Sequence, residues 1–367
     1  MRLIYLSPVP WKSFAQRPHK FVEWFHGRTG DSVLWIEPYP TRFPNWKDLR
    51  RPHTAVKNSQ NSAKPAWLKV LRPRALPVEP LPGSGWVNRR LWQHQLHQII
   101  DFANQSNTWL AIGKPSVLAL ELLKSLYPCS SFYDAMDEFP AFFAGISRIA
   151  LAQRERRIAQ QVDVIWASSS ELKSRWGRVH QDVRLVHNGL DLSAIQSVQR
   201  ELVSSEKKVF GYIGTIASWF DWAWVRALAK VRSDDEIRLI GPVFEQPAGK
   251  LPDNVKLLPA CDHAAALEAM TQFQVGLIPF KKNALTRSVD PIKYYEYRAL
   301  GLPVISTDFG EMSFRSAERG VFITQSETDV PAMAELALQF KGDAGIDRVF
   351  AQENTWEVRF DAARLLP

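Results

Sequence analysis

The sequence predicts an α/β protein built from two doubly wound domains, and three observations support this prediction. The chain has 367 residues, which is long for one core and suits two domains of about 150–200 residues each. Short β-branched runs alternate with helical patterns in both halves, as parallel sheets require. A polar stretch without an apolar stripe, residues 193–208, separates the two series.

The first half opens with a strand–helix–strand unit. LIYLS (3–7) and SVLWIEP (32–38) are typical strands, and the helix between them starts near Arg17, with Pro18 in its first turn. Residues 40–90 are basic, rich in proline and poor in periodicity. We expect that segment to be a long functional loop or a mobile insertion.

The domain assignment follows from where the alternation stops and restarts. It resumes at VFGYIGTI (209–216) and continues to a helix at 330–340. The predicted parts are an N-terminal domain (1–192), a linker (193–208), a C-terminal domain (209–350) and a terminal helix (351–367) that packs back toward the N-terminal domain.

Composition narrows the class of protein. The chain is 46% apolar and 23% charged, which indicates a packed globular protein and excludes a disordered one. Cys129 and Cys261 are far apart and form neither a disulfide framework nor a zinc motif, so a reducing, cytoplasmic location is expected. No run approaches 18 apolar residues, and the first residues resemble a core strand rather than a signal peptide.

The positive charge is concentrated in the first third. Residues 1–110 contain 16 Lys and Arg against 6 Asp and Glu, a net charge of +10, whereas the remainder has a net charge of −2. Eight tryptophans lie in the same third. Basic and aromatic residues together suit an anionic membrane surface. The alternatives are a solvated basic face over ordinary core tryptophans and, more weakly, nucleic-acid binding without any recognisable reading motif.

SVDPIKYYEYRALGLPVIST (288–307) is the most informative segment. Asp290 is a predicted N-cap before a first helical Pro291. Lys293 and Glu296 lie one turn apart on one face of this helix, with Tyr297 next to them. A helix N-terminus that carries a lysine favours phosphate, and a glutamate one turn deeper can accept hydrogen bonds from a ribose diol. A surface ion pair is the alternative.

Two other groups of residues follow strands. In GYIGT (211–215), Gly214 and Thr215 would bring backbone N–H groups near a pyrophosphate, unless the turn is only a tight strand exit. Asp134 and Asp137 follow a strand of the first half and are candidates for a general base, or else for helix caps.

Arg17 and His19 lie at the first β–α turn of the predicted N-terminal domain. There they could bind a phosphate of an acceptor or of a donor. A solvated start of the helix is the alternative. No histidine has the spacing of a metal ligand set, and a D-x-D motif at a strand end is absent from the sequence.

The signature P-x-K-x-x-E-Y-x-A-x-G-x-P-V-I in 291–305 resembles the donor-site signature of group-1 (family 4-like) nucleotide-sugar glycosyltransferases, which have the GT-B fold. VHNGLD (186–191), FGYIGTI (210–216) and VGLIPF (275–280) are similar to further segments of that group. YDAMDEFPAFF (133–143) resembles a segment found in the subset that builds bacterial surface polysaccharides.

The resemblance implies two Rossmann-like domains facing a cleft and a hexosyltransferase that needs no cofactor or metal. It implies transfer of a sugar from a nucleotide diphosphate, UDP in the first instance, to a lipid-linked saccharide for exopolysaccharide synthesis. Such an enzyme would be peripheral to the cytoplasmic face of the membrane and would not bind nucleic acid. The expected site residues are Asp137 and Asp134 (catalytic), Gly214, Thr215, Arg287, Asp290, Lys293, Glu296 and Tyr297 (donor), and Arg17 and His19 (acceptor).

One departure leaves the stereochemistry open. Retaining members of the group carry two glutamates eight positions apart, and Ser288 occupies the first of these positions. Both the retaining and the inverting routes therefore stay open. Two further functions are compatible with this architecture: a non-hydrolysing nucleotide-sugar epimerase, and a non-catalytic scaffold for polysaccharide assembly.

Overall fold

The computed structural model describes residues 1–41, 64–76, 79, 84–200 and 206–366. The chain divides into two compact units. Unit 1 comprises Met1–Val186 and Phe360–Pro367, and unit 2 comprises His187–Arg359. The division after Val186 lies earlier than the predicted linker.

Unit 1 contains a seven-stranded sheet in which every neighbouring pair of strands is parallel. Its order is β3-β2-β1-β4-β5-β6-β7. The strands are β1 (Arg2–Leu6), β2 (Val33–Ile36), β3 (Leu68–Leu71), β4 (Thr108–Ile112), β5 (Ser130–Ala135), β6 (Val164–Ala167) and β7 (Val183–Leu185). The helices of this part of the chain are α1 (Arg17–Thr29), α2 (Ser84–Ala103), α3 (Val117–Ser125), α4 (Gly145–Ala159) and α5 (Ser170–Trp176).

Helices cover both faces of this sheet, because its strands alternate side chains between two apolar layers. One layer joins strand residues such as Ile4 and Tyr133 to α2, α3, α4 and α5. In the other layer Phe21 of α1 contacts Phe132, Trp166 and Phe360 edge to face. The last residues of the chain thus complete the core of unit 1.

Unit 2 contains a six-stranded parallel sheet of order β10-β9-β8-β11-β12-β13. The strands are β8 (Val209–Ile213), β9 (Glu236–Ile240), β10 (Val255–Leu258), β11 (Val275–Ile278), β12 (Val304–Thr307) and β13 (Val321–Thr324). The helices are α6 (Leu192–Gln196), α7 (Trp222–Val231), α8 (His263–Thr271), α9 (Ile292–Ala299), α10 (Val330–Gln339) and α11 (Ala344–Glu353), followed by α12 (Trp356–Ala362), which runs into unit 1.

The strand order of unit 2 reverses between β8 and β11, which makes the carboxyl ends of these two strands the expected ligand-binding edge. Gly211 of β8 lies opposite Gly276 of β11. A Cβ at Gly211 would lie 2.1 Å from the Phe273 ring, and one at Gly276 would lie 2.5 Å from the Tyr297 ring. The two glycines therefore let aromatic rings pack directly on the backbone at this point.

The predicted class of two doubly wound α/β domains is confirmed, and three elements differ from the prediction. Strand β3 lies inside the 40–90 segment that was expected to be a loop, of which residues 42–63, 77–78 and 80–83 lie outside the described part. Helix α6 lies inside the predicted linker, whose residues 201–205 are also outside the described part. Helix α11 was not predicted.

No helix among the described residues is long and apolar enough to cross a membrane.

Candidate active site

Helix α9 carries the residues that the sequence singles out most strongly. It begins at Ile292 with Pro291 as the N-cap, so the predicted start is wrong by one residue. Asp290 is not the N-cap, and no side chain caps this end of the helix. After the helix, Gly301 takes the left-handed conformation with φ of 69°, which ends the helix.

Glu296 is the centre of a buried charge cluster and not one half of a surface ion pair. Its Oε2 lies 2.5 Å from the Nζ of Lys293, and its Oε1 lies 2.8 Å from the Nε2 of His263. The Glu296 side chain is only 6% exposed. Burial alone would raise the pKa of this carboxyl, but the Lys293 charge and the His263 hydrogen bond outweigh it and lower the pKa. The carboxylate is therefore held ionised in a fixed orientation.

His263 is a site residue that the sequence analysis missed. It is the first residue of α8, which Asp262 caps by accepting a hydrogen bond from the Ala265 N–H at 2.9 Å. The local sequence signal that could have indicated His263 is the Asp-His pair at the start of the helix after β10. Its contact with Glu296 spans 33 positions of the chain and depends on the tertiary fold.

Asp290 is buried in a network of its own. Its carboxylate accepts hydrogen bonds from Arg315 at 2.7 Å, from the Tyr295 hydroxyl at 3.0 Å and from the Asn188 backbone N–H at 2.7 Å. Its side chain is 0% exposed. The structure therefore gives Asp290 a structural role, and its contact with a donor stays a prediction.

Tyr297 is also fully buried rather than facing a ligand. Its ring packs on Gly276, and its hydroxyl accepts a hydrogen bond from the Ile213 N–H at 3.2 Å. The same hydroxyl donates to the Gly211 carbonyl at 3.4 Å. Tyr297 thus fixes α9 against β8, and its contact with a donor stays a prediction.

The remaining predicted donor residues lie just after β8 and in the loop before α9. Gly214 follows β8 with φ of 156°, and its N–H donates to the Ile240 carbonyl at 2.9 Å. The Gly214 amide is therefore already used inside the protein. The neighbouring Thr215 accepts a hydrogen bond from Tyr212 through its carbonyl. Arg287 is exposed on the 3-10 turn Thr286–Ser288.

In unit 1, Arg17 and Asp134 form a buried ion pair. The guanidinium contacts the carboxylate at 3.0 Å, and a second nitrogen donates to the Val186 carbonyl at 2.7 Å. Asp134 is 0% exposed. Neither residue presents its charge at the surface, and the catalytic role of Asp134 and the acceptor-binding role of Arg17 stay predictions.

His19 is buried at the start of α1. Its Nδ1 accepts a hydrogen bond from the Gln16 N–H at 3.2 Å, and its Nε2 lies 3.0 Å from the Trp11 carbonyl oxygen. These partners suit a neutral ring with the proton on Nε2, and burial lowers the His19 pKa. His19 closes a capping box with Gln16, and its contact with an acceptor stays a prediction.

Asp137 differs from Asp134 in its surroundings. It lies just beyond β5, it is partly buried, and no described side chain forms a hydrogen bond or an ion pair with its carboxylate. Burial raises the Asp137 pKa to about 7, with Arg17 lowering it and the Asp134 charge adding to the rise. A carboxyl with a pKa near neutrality is suited to accept a proton as a general base.

The tryptophans of the first third lie mainly inside unit 1. Trp24, Trp35 and Trp92 belong to its core, whereas Trp86 is 61% exposed with Arg90 stacked on its ring. Trp46 lies outside the described residues. Core packing therefore accounts for three of the eight, and Trp11, Trp67 and Trp109 are half-buried.

Within the described ranges, no group of three or more His, Cys, Asp and Glu side chains could hold a metal ion.

No protein-family model matches the chain. One curated relative is the Bacillus subtilis (strain 168) protein named "Putative teichuronic acid biosynthesis glycosyltransferase TuaH". It is 27% identical over 215 residues, which are 52% of this chain and 54% of the relative. The chain thus spans about half the length of the relative that it matches.

Several solved structures match nearly the whole chain. Anabaena HepE in complex with UDP-glucose is 14% identical with a TM-score of 0.65, covering 99% of this chain and 98% of HepE. Sucrose-phosphate synthase from Thermosynechococcus elongatus is 12% identical with a TM-score of 0.63, covering 100% and 98%. The lipopolysaccharide outer core galactosyltransferase WaaB is 11% identical with a TM-score of 0.63, covering 99% of both chains.

At these identities the structural likeness establishes the fold, which is GT-B with two Rossmann-like domains. The predicted fold class and the predicted resemblance to GT-B glycosyltransferases are therefore confirmed.

The role of Asp290 can be tested by Asp290→Asn. We expect the free energy of unfolding to fall by about 3–5 kcal/mol, because the buried Arg315 loses its compensating charge. Denaturant unfolding followed by tryptophan fluorescence gives this value. The matched control is Asp262→Ala, which removes a true helix cap and should cost about 1 kcal/mol. Equal losses for the two variants would contradict the role of Asp290 as the compensating charge for the buried Arg315.

The Asp137 pKa makes stability depend on pH. This carboxyl has a reference pKa of 3.8 and a pKa of about 7 in the folded protein, so the native state loses stability as pH rises across that interval. We expect Asp137→Asn to match the wild type near pH 4 and to exceed it by about 1–3 kcal/mol near pH 8.

Unfolding free energies measured across this pH range would test the expectation. Asp253→Asn is the control, because its side chain is 91% exposed and its difference from the wild type should stay flat. A flat difference for Asp137→Asn as well would contradict a raised Asp137 pKa.

Proposed function

We propose that this protein is a glycosyltransferase that moves a sugar from UDP to a lipid-linked saccharide during polysaccharide synthesis at the inner face of the membrane. One observation carries the proposal. The Lys293–Glu296–His263 cluster lies at the start of α9, whose loop follows β11 beside β8. This is the switch point of the unit 2 sheet, where doubly wound sheets bind nucleotides.

The cluster has the chemistry that a nucleoside diphosphate requires. The N-terminus of α9 favours negative charge, and it has no capping side chain. The ammonium of Lys293 has three donors, of which Glu296 uses one. Each oxygen of the fixed Glu296 carboxylate has a further lone pair for a ribose hydroxyl. Lys293 would hold the diphosphate and Glu296 the ribose.

The comparisons support UDP as the nucleotide. HepE has been solved with UDP, with UDP-glucose, and with UDP and glucose. Another similar structure, named "Trehalose-6-phosphate from E. coli", is bound with UDP-2-fluoro glucose. The name of TuaH refers to teichuronic acid biosynthesis and that of WaaB to lipopolysaccharide outer core. These two names support a surface-polysaccharide acceptor for the present chain.

The surroundings of the carboxylates favour inversion. Ser288 is 1% exposed and Asp290 is 4% exposed, so neither position offers a carboxylate to a donor sugar. Asp137 is the remaining candidate base. As the acceptor oxygen attacks the anomeric carbon, its proton would pass to Asp137. The bond from carbon to the diphosphate oxygen breaks, and the leaving diphosphate keeps the electron pair and is stabilised by Lys293.

The donor site is tested by Lys293→Met. We expect UDP to bind about 10–100-fold more weakly, since one charge-assisted contact to phosphate is lost. Isothermal titration calorimetry with and without EDTA measures the affinity and also tests the expected independence from metal. Lys250→Met is the matched control, because Lys250 is 86% exposed elsewhere in unit 2. Unchanged UDP affinity of Lys293→Met would exclude this residue from the donor site.

The catalytic role is tested by Asp137→Asn. We expect transfer from a panel of UDP-sugars to a bacterial lipid extract to fall about 100-fold or more, while the affinity for UDP stays the same. If the protein were a non-catalytic scaffold, the wild type would also show no transfer. Full transfer by the Asp137→Asn variant would place the base elsewhere.

A further inference from the structure

Unit 1 exposes a short apolar segment directly after the candidate base. The 3-10 turn Phe139–Phe142 leads into α4, and three side chains are prominently exposed there. Phe142 is 48% exposed, Ile146 67% and Ile149 61%. Single exposed apolar side chains are ordinary, but three within eight positions form a local patch. We call these three residues the apolar tip.

The rest of the exposed side of α4 carries two arginines and a glutamine. Positions 146, 149, 153, 156 and 157 are exposed and share one face of the helix, and Arg148 is exposed on another side of its first turns. Arg156 and Arg157 thus lie on the same face as Ile149. The one acidic residue of α4, Glu155, is buried and binds Tyr133 at 2.6 Å and Arg175 at 2.8 Å. The exposed face therefore carries no carboxylate.

We propose that the apolar tip and the basic face of α4 dock unit 1 onto an anionic lipid bilayer. Apolar side chains of an interfacial helix sit about 5–10 Å into the boundary between headgroups and acyl chains. Arginines remain at the level of the anionic headgroups. Ile149 and Arg156 are seven residues apart, about 10 Å along the helix axis, so α4 inclines with its N-terminus toward the bilayer.

Charge and size both favour a bilayer over a protein partner. Three apolar side chains offer far less area than the roughly 800 Å² that each side of a stable protein interface buries. Such a small patch binds a bilayer reversibly when its apolar side chains insert shallowly and several cations contact the anionic headgroups. Residues 1–110 add a net charge of +10 to the same unit. In that stretch α2, which covers the same face of the sheet as α4, exposes Trp86 with Arg90.

The docking surface also explains how a lipid-linked acceptor would meet the candidate base, a point that rests on the proposed function. Asp137 precedes Phe142 by five residues, and that length of chain spans at most about 17 Å. A bilayer at the apolar tip thus lies close enough to the Asp137 carboxylate for the saccharide of a lipid-linked acceptor to bridge the distance. The acceptor hydroxyl could reach the base without leaving its lipid anchor.

Vesicle flotation with the full chain tests the docking surface. The probes are vesicles of phosphatidylcholine alone and vesicles with added phosphatidylglycerol. We expect the wild type to float only with the anionic vesicles. Ile146→Ser combined with Ile149→Ser should lose this binding, and Arg156→Gln combined with Arg157→Gln should weaken it about tenfold or more.

The controls are chosen on unit 2. Phe244→Ser removes an apolar side chain that is 69% exposed. Lys230→Gln combined with Lys250→Gln removes two exposed cations, so this variant has the same net charge as the double arginine variant. Both should float like the wild type. The docking proposal is overturned if the wild type does not float, if the isoleucine variant floats fully, or if the lysine control weakens flotation as much as the arginine variant.

Binding of UDP, measured on the same proteins, separates this proposal from the proposed function. Loss of flotation in the α4 variants with UDP affinity retained supports the docking surface. If the wild type floats as expected but binds no nucleotide, the proposed function fails and the docking surface stands. If the wild type binds UDP but does not float, the docking surface fails and the proposed function stands.

Discussion

The buried contact between Asp290 and Arg315 is the interaction on which the Lys293–Glu296–His263 cluster depends. It joins three parts of unit 2 that are remote in sequence: the loop that enters α9, the segment after β12 and the backbone at Asn188. Tyr295, on α9 itself, donates to the same carboxylate. Because this network fixes where α9 begins, it also fixes the position of Lys293 and Glu296, which lie within the first turns of that helix.

The two units surround their buried carboxylates with charge in opposite ways. In unit 2, Lys293 and His263 outweigh the burial of Glu296, so that its carboxylate stays ionised and can accept hydrogen bonds. In unit 1, Arg17 is engaged by Asp134, and Asp137 lies next to that neutralised pair with its pKa raised. The two carboxylates thus differ because Glu296 has Lys293 and His263 beside it, whereas the cation near Asp137 is already engaged by Asp134.

The parts of the fold and site that were predicted from the sequence are those with local patterns. Lys293 and Glu296 were found because helical spacing puts them on one face, and the strands were found because their β-branched runs are regular. His263 was missed because its partner is 33 positions away. Asp290 was misassigned because an aspartate before a proline and a helix is also the pattern of a cap. Strand β3 was missed because LKVL is short, and Lys69 in it is exposed.

The return of the chain to unit 1 has a consequence for how the protein is made. Phe360 is 0% exposed in a layer with Phe21, Trp24 and Trp166. That aromatic layer therefore stays open on the ribosome until all of unit 2 has been translated. Domains usually fold in the order in which they are synthesised. Here the N-terminal unit is the last to be completed, and a nascent chain would leave Trp24 and Trp166 without their partner Phe360 until unit 2 has been made.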